Sequence, residues 1–433
     1  MVRINLLLAT LLLLSSTNTS FSQDDAKLPS IETKWQENWK VNIGLTCYRT
    51  NMLLHNGDLL IGSNGSDWNK KMDSLDGLYV INPKTGEVKH HIQHQAIGDN
   101  DVNGLAVNNN GTLFFGGDMQ YVYAFETETY TEIWKYHVGG DLESTPGVAD
   151  LNNDGIEDAI FVTQRKGVIA LDGLTGALLW KGEPYTHGGN MSPAIFDLNN
   201  DGVKDVVASG GSSFALNGKD GTTLWEHDQN SGMHASPLII ENNKGVRVYT
   251  VASYGSCDVY QPDGTKINGV GLTYGMFSSP VPNGQGYAAE GISWNNGSGV
   301  LTYSCDTDNW VKEEDSRFIG NVMDIESNRI DGEKVSASAI SVDVDSDGKV
   351  EFLIPSESGI LYITEPSEQK TEKFVLPAGA EATLFICDYD KNGRQTIFFA
   401  GLDGYLRSYE IGKTGTVVWP GLRGPSHNGV LSE

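Results

Sequence analysis

Val168-Ile169-Ala170-Leu171-Asp172-Gly173-Leu174-Thr175-Gly176-Ala177-Leu178-Leu179-Trp180 reads as one apolar strand, a glycine turn and a second strand ending on an indole ring. A short apolar run closed by Asp-Gly marks a buried strand, and Thr-Gly supplies the reversal. Working outward, this phrase is preceded by a small pair, Thr145-Pro146, an apolar strand and an acidic turn. The whole unit recurs from Ser192-Pro193 to Trp225. Further copies open at Thr50-Asn51, Asn103-Gly104, Ser236-Pro237, Ser279-Pro280, Ser338-Ala339 and Ala382-Thr383, which makes eight.

The tryptophans test the period. Trp134 to Trp180 is 46 residues, Trp180 to Trp225 is 45, and Trp225 to Trp310 is 85, close to two steps. Trp310 to Trp419 is 109 residues for two steps and calls for an insertion, placed at residues 313–334. Four short strands every forty-odd residues are the mark of a β-propeller; a helical solenoid would show a 3.6-residue period. The expected fold is therefore all-β, an eight-bladed propeller, or seven-bladed if residues 279–310 are themselves an insertion. Residues 35–43 lie ahead of the first copy and are expected to close the ring as the fourth strand of the last blade, with Val417-Val418-Trp419 beside them. Residues 420–433 are left as a tail at that seam.

Composition agrees: 51 Gly, 9 Trp and 17 Tyr without a helical period fit a turn-dense β chain. Residues 1–22 read as a signal peptide, with an apolar run from Leu6 to Leu14 and cleavage before Gln23; that run is too short to cross a bilayer. The mature chain, residues 23–433, is expected to be a single propeller domain, secreted or periplasmic, with no membrane span. A formal charge of -26 argues against nucleic acid and anionic membrane surfaces as partners. Cys47, Cys257, Cys305 and Cys387 lie far apart and show neither a zinc pattern nor a pairing.

Four copies carry an acidic loop after their first strand: 150–158, 197–205, 343–351 and 388–396. Oxygen-bearing residues recur at loop positions 1, 3, 5 and 9, with Gly at 6. A hard cation such as Ca²⁺ takes six to eight oxygens, and alternate positions on a tight loop turn three side chains to one side. The expected ligands are Asp150, Asn152, Asp154 and Asp158; Asp197, Asn199, Asp201 and Asp205; Asp343, Asp345, Asp347 and Glu351; and Asp388, Asp390 and Asn392. The position-7 carbonyls of Ile156, Val203, Lys349 and Arg394 complete the sets. The fourth loop has Thr396 at position 9 and so one carboxylate fewer. Three to four structural calcium ions are expected.

The strand-turn-Trp phrase of residues 168–180 resembles the pyrroloquinoline-quinone-like (PQQ-like) propeller repeat, and the acidic loops resemble those of FG-GAP propellers. The resemblance implies a propeller used for quinone-dependent oxidation, for scaffolding protein partners, or for polysaccharide cleavage on a calcium-binding frame. The quinone enzymes carry an adjacent cysteine pair that this chain lacks, so no PQQ is expected.

Aligning the copies puts one residue per blade two places ahead of the small pair, near the channel mouth: Tyr48, Asp101, Glu143, Asn190, His234, Phe277, Ser336, and Ala380 with its neighbour Glu381. Such a mixed ring suits binding of a carbohydrate or a protein at the channel face, with Asp101, Glu143, Asn190 and Phe277 as contacts. The alternative is a carbon-oxygen lyase on a uronate-containing polysaccharide. There His234 or His187 would be the base, Tyr48 or Tyr274 the acid, and Arg49, Asn190 or His187 the group that neutralises the sugar carboxylate.

Overall fold

The computed structural model describes residues 28–432 apart from 68–72, 95–98, 118–119, 165–166, 183–190, 229–234, 244, 252–255, 272–277, 283–288, 296–298, 305–322, 325–334 and 366–369. Each repeat folds into one antiparallel sheet whose strands follow in chain order, giving eight sheets and, among the described residues, no α-helix. We number them blades 1 to 8, at residues 52–92, 105–137, 147–182, 194–228, 238–271, 281–324, 340–375 and 385–412. Seven are regular. Blade 6 is reduced, with first and last strands of two residues each, Val281–Pro282 and Met323–Asp324. This is the copy at which the sequence leaves the count between seven and eight. Met323–Asp324 pairs with Leu301 and Thr302, so part of the segment expected as an insertion supplies a strand. Trp310 lies outside the described residues.

The ring closes as expected: Gln36–Asn42 pairs antiparallel with Tyr405–Gly412 and becomes the outer strand of blade 8. Trp39 is therefore that blade's tryptophan. Val417–Trp419 is not beside this strand; it adds to the inner edge of blade 7, where Trp419 pairs with Ser341. The 109-residue interval thus measured no repeat step.

The recurring Gly and Trp form one contact between blades. Trp39, Trp134, Trp180 and Trp225 donate their indole N–H to Pro83, Gly173, Gly218 and Pro262 carbonyls of the next blade at 2.6–3.4 Å. Their rings lie on Gly86, Gly176, Gly221 and Gly264, all at φ between +72 and +83°, where a Cβ would come within 2.5–2.7 Å of the indole. Glycine is required there by backbone conformation and by space together.

The small residues form a second contact, nearer the axis. The backbone N–H of Thr145 donates to Ser192 Oγ, that of Ser192 to Ser236, Ser236 to Ser279, Ser279 to Ser338, and Ser338 to Thr383 Oγ1, all at 2.9–3.0 Å. This relay satisfies one amide per blade from blade 3 to blade 7, with blade 8 supplying the last acceptor. It also corrects the alignment of the last copy, which opens at Thr383 and not at Ala382, so that Glu381 and not Ala380 is the ring position.

The tail spans the channel. Asn428 exchanges two hydrogen bonds with Val148 in blade 3 and accepts from Ile195 in blade 4. Gly429 accepts from Ile239, and Val430–Ser432 runs parallel to the first strand of blade 5. Pro420 accepts from Ile386 in blade 8. Val148, Ile195, Ile239, Ser341 and Ile386 each stand three places after the small residue of their blade, so the tail crosses at one level. It occupies the inner sheet edges, whose amides would otherwise need other partners.

Candidate functional site: the channel mouth and the acidic loops

At blades 1 and 2 the hydroxyl relay is replaced. Asn51 bridges to blade 2 through both Leu105 N–H and Leu105 carbonyl at 2.9 Å. Between blades 2 and 3, Gly104 packs so closely on Thr145 that a Cβ would lie 2.3 Å from its backbone, and Thr145 Oγ1 has no hydrogen-bond partner. Over this interruption an ion pair passes from blade 1 to blade 3, with Arg49 Nη1 2.5 Å from Glu143 Oε2. Tyr48 lies along the same guanidinium, its ring centroid 4.9 Å from Arg49 Cζ and its hydroxyl accepting from Nη1 at 3.3 Å. Burial disfavours the charged guanidinium, but Cys47, Glu143 and Tyr48 outweigh it and raise the Arg49 pKa. Burial raises the Glu143 pKa against the pull of Arg49. Asp101 of the same ring is buried.

The structure therefore brings Tyr48, Arg49 and Glu143 together. Ser336 is buried and donates to Glu357 at 2.5 Å. His187, Asn190, His234, Tyr274 and Phe277 lie outside the described residues, as do the proposed signal peptide and the side chains of Cys257 and Cys305. Cys47 and Cys387 are free thiols. That Arg49 reaches Glu143 across blade 2 had no signal in the sequence beyond the ring alignment that placed Tyr48 and Glu143 at one level.

The acidic loops share one backbone. Position 4 is left-handed in all four, at Asn153, Asn200, Ser346 and Lys391 (φ 57 to 65°), followed by Gly155, Gly202, Gly348 and Gly393 at φ 80 to 90°. In each, the position-1 carboxylate accepts the amides of positions 5 and 6, as Asp150 does from Asp154 and Gly155 at 3.1 and 2.9 Å. Position 9 is a staple as well: Asp158 accepts from Leu151 and Gly173, and Asp205 from Leu198 and Gly218. Burial raises the pKa of both, Asp158 to about 6. The third loop differs because its longer Glu351 reaches inward. Asp343, Asp345 and Glu351 bring ligand oxygens within 4.8 Å of one another. Burial, opposed by the Val344 amide and reinforced by the three neighbouring aspartates, lifts Glu351 to about 7. Clustered oxygen donors of this kind fit a hard divalent cation.

A family model described as outer membrane protein assembly factor BamB, of the PQQ-like repeat class, matches residues 76–266. Among solved structures, BamB from Moraxella catarrhalis superposes with TM-score 0.57 at 11% identity, covering 87% of this chain and 99% of that one. Quinohemoprotein alcohol dehydrogenase from Comamonas testosteroni gives 0.59 at 12% identity over 90% of this chain and 78% of that one. The computationally designed protein Ika8 gives 0.53 at 12% identity over 85% and 99%. No curated protein matches the sequence. Among the described residues, no helix is long and apolar enough to cross a membrane.

Proposed function

This chain is a PQQ-like β-propeller, and from that premise we propose that it is an exported, calcium-stabilised binding propeller that takes a carbohydrate or protein partner at its channel face. The observation that carries the reading is the Tyr48–Arg49–Glu143 group at the mouth, seated where the hydroxyl relay between blades is interrupted. An aromatic face and a charged pair suit ring stacking and hydroxyl or amide recognition. Likeness to an assembly factor supports a protein as one partner class. A lyase acting on uronate-containing polysaccharide would need its carboxylate neutralised, and Arg49 is already held by Glu143. Of the groups elimination would need, Arg49 is thereby engaged and His187, Asn190 and His234 lie outside the described residues, so the reading rests on the binding features described at the mouth.

The test is calorimetric titration of the purified protein with a panel of polysaccharides and extended peptides, in wild type and Tyr48→Ala, with ultraviolet absorbance followed for unsaturated uronate. Binding that weakens at least tenfold in Tyr48→Ala, with flat absorbance, supports the proposal. Growing absorbance makes the protein a lyase. Binding unchanged by the substitution moves the site elsewhere.

The four acidic loops are proposed as structural calcium sites, with the third as the tightest. Excess chelator is expected to lower the melting temperature, and Asp343→Asn to remove more of the calcium-dependent part of that shift than Asp388→Asn. A melt indifferent to chelator would remove calcium from the account.

A further inference from the structure

The tail buries a cation. Arg423 is 1% exposed in the middle of the channel crossing, at φ +78°. Its Nη1 reaches the Ser192 carbonyl at the limit of a hydrogen bond, 3.5 Å. Its Nε and Nη2 are buried and have no hydrogen-bond partner. Gly429 is pressed against the guanidinium, where a Cβ would lie 2.6–3.0 Å from Nη1, Cζ and Nη2. His427, also at positive φ, adds a third buried and unpartnered nitrogen, Nδ1. Burial lowers the Arg423 pKa to about 9, so the group still carries its charge at neutral pH. No carboxylate among the described residues pairs with it.

An ionised guanidinium held out of water without a counter-charge is strongly unfavourable, and each unsatisfied donor adds to that. The two free nitrogens are not scattered. Nε–H and one Nη2–H form the side edge of the guanidinium, the planar fork that matches two oxygens of one carboxylate. Nη1 is the nitrogen turned to the Ser192 carbonyl, so the Nε–Nη2 edge lies on the opposite side of the planar group.

We infer that the central channel contains a carboxylate-binding site, with the Nε–Nη2 edge of Arg423 as its bidentate donor. The site is independent of the mouth residues and of whatever they bind. Its ligand is either a free small acid or a uronate carried on a sugar chain.

The test titrates full-length protein with acetate, monomeric galacturonate and an oligogalacturonate at constant ionic strength, with chloride as the reference anion. The readouts are melting temperature and calorimetry, in wild type and Arg423→Gln. Saturable binding at least tenfold weaker in Arg423→Gln is expected. Acetate or the monomer binding identifies a free acid as the source, and the oligomer alone identifies a chain-borne uronate. Wild-type protein is also denatured and its released small acids counted, since a ligand trapped during folding would not exchange. One equivalent of carboxylate released supports the site even where Arg423→Gln does not fold. Neither saturable binding nor a released equivalent in wild type overturns the inference, as does equal binding in a folded Arg423→Gln.

Discussion

Blades 3 to 8 and blades 1 to 2 solve the same problem differently. From Thr145 to Thr383 each blade hands one amide to the next blade's hydroxyl, a contact that any Ser or Thr at the position can make. Between blades 1, 2 and 3 an asparagine bridge, a glycine contact and the Arg49–Glu143 pair take its place. The tail repeats the division, holding blades 3, 4, 5, 7 and 8 at one level through backbone pairing or hydrogen bonds. The regular arc is scaffold. The irregular arc is where side chains with charge and aromatic surface were free to diverge, because neighbour contact no longer depended on a small hydroxyl.

Removing the tail should separate the two arcs most strongly. Deleting residues 417–433 strips Trp419, Leu422 and Val430 from the core, each worth about 1.5–3 kcal/mol, for a loss of roughly 5 kcal/mol in denaturant unfolding. Hydrogen exchange should quicken at Ile195, Ile239 and Ile386 and leave blade 2 least changed. Uniform quickening around the ring would remove the distinction.

Acidification should load the irregular arc through His94 and the tail through His427, whose pKa burial also lowers to about 4. His94 packs edge-on against Phe115 and Tyr123, and burial, with Lys135 nearby, lowers its pKa from 6.5 to about 4. Above pH 6.5 it is neutral in both states. Between pH 6.5 and 4 the unfolded chain binds a proton that the folded chain refuses, so stability falls as pH falls, by up to about 1.4 kcal/mol per pH unit. Below pH 4 the dependence on this group ends. His94→Phe should lessen that part of the slope and leave the share of His427; an unaltered profile would mean that His94 carries none of it.

Single latch residues make the finest test. Ser236→Ala leaves the buried Ser192 amide without its acceptor and should cost about 1–3 kcal/mol, with Ser236→Thr restoring most of it. Thr145→Val removes a hydroxyl that has no partner, and should change stability by no more than about 0.5 kcal/mol. Equal losses at the two positions would show that the relay is not what holds the regular arc.

Much of this was legible because it is local. The acidic loops are recognisable from nine consecutive residues, and their left-handed positions fall on Gly and, twice, on Asn, the residues that tolerate them. The Trp and Thr-Gly marks could be counted, though their meeting across neighbouring blades could not be seen. Where the reading slipped, a mark was borrowed: Trp419 resembles a repeat tryptophan but belongs to the channel crossing, and Ala382-Thr383 resembles a small pair one place out of phase. The tail offered no period at all, and a Gly- and Pro-containing end ordinarily reads as loose chain.

What the sequence determined by itself was the repeat, the closing strand and the acidic loops, since each depends on backbone preferences and apolar spacing within a few tens of residues. Only the tertiary structure decided that Arg49 meets Glu143, that Asn428 seats on Val148 from 280 positions away, and that Arg423 ends buried with a free fork. Those contacts exist because the ring closes and brings the inner edges of distant blades to one axis. No local rule carries that distance.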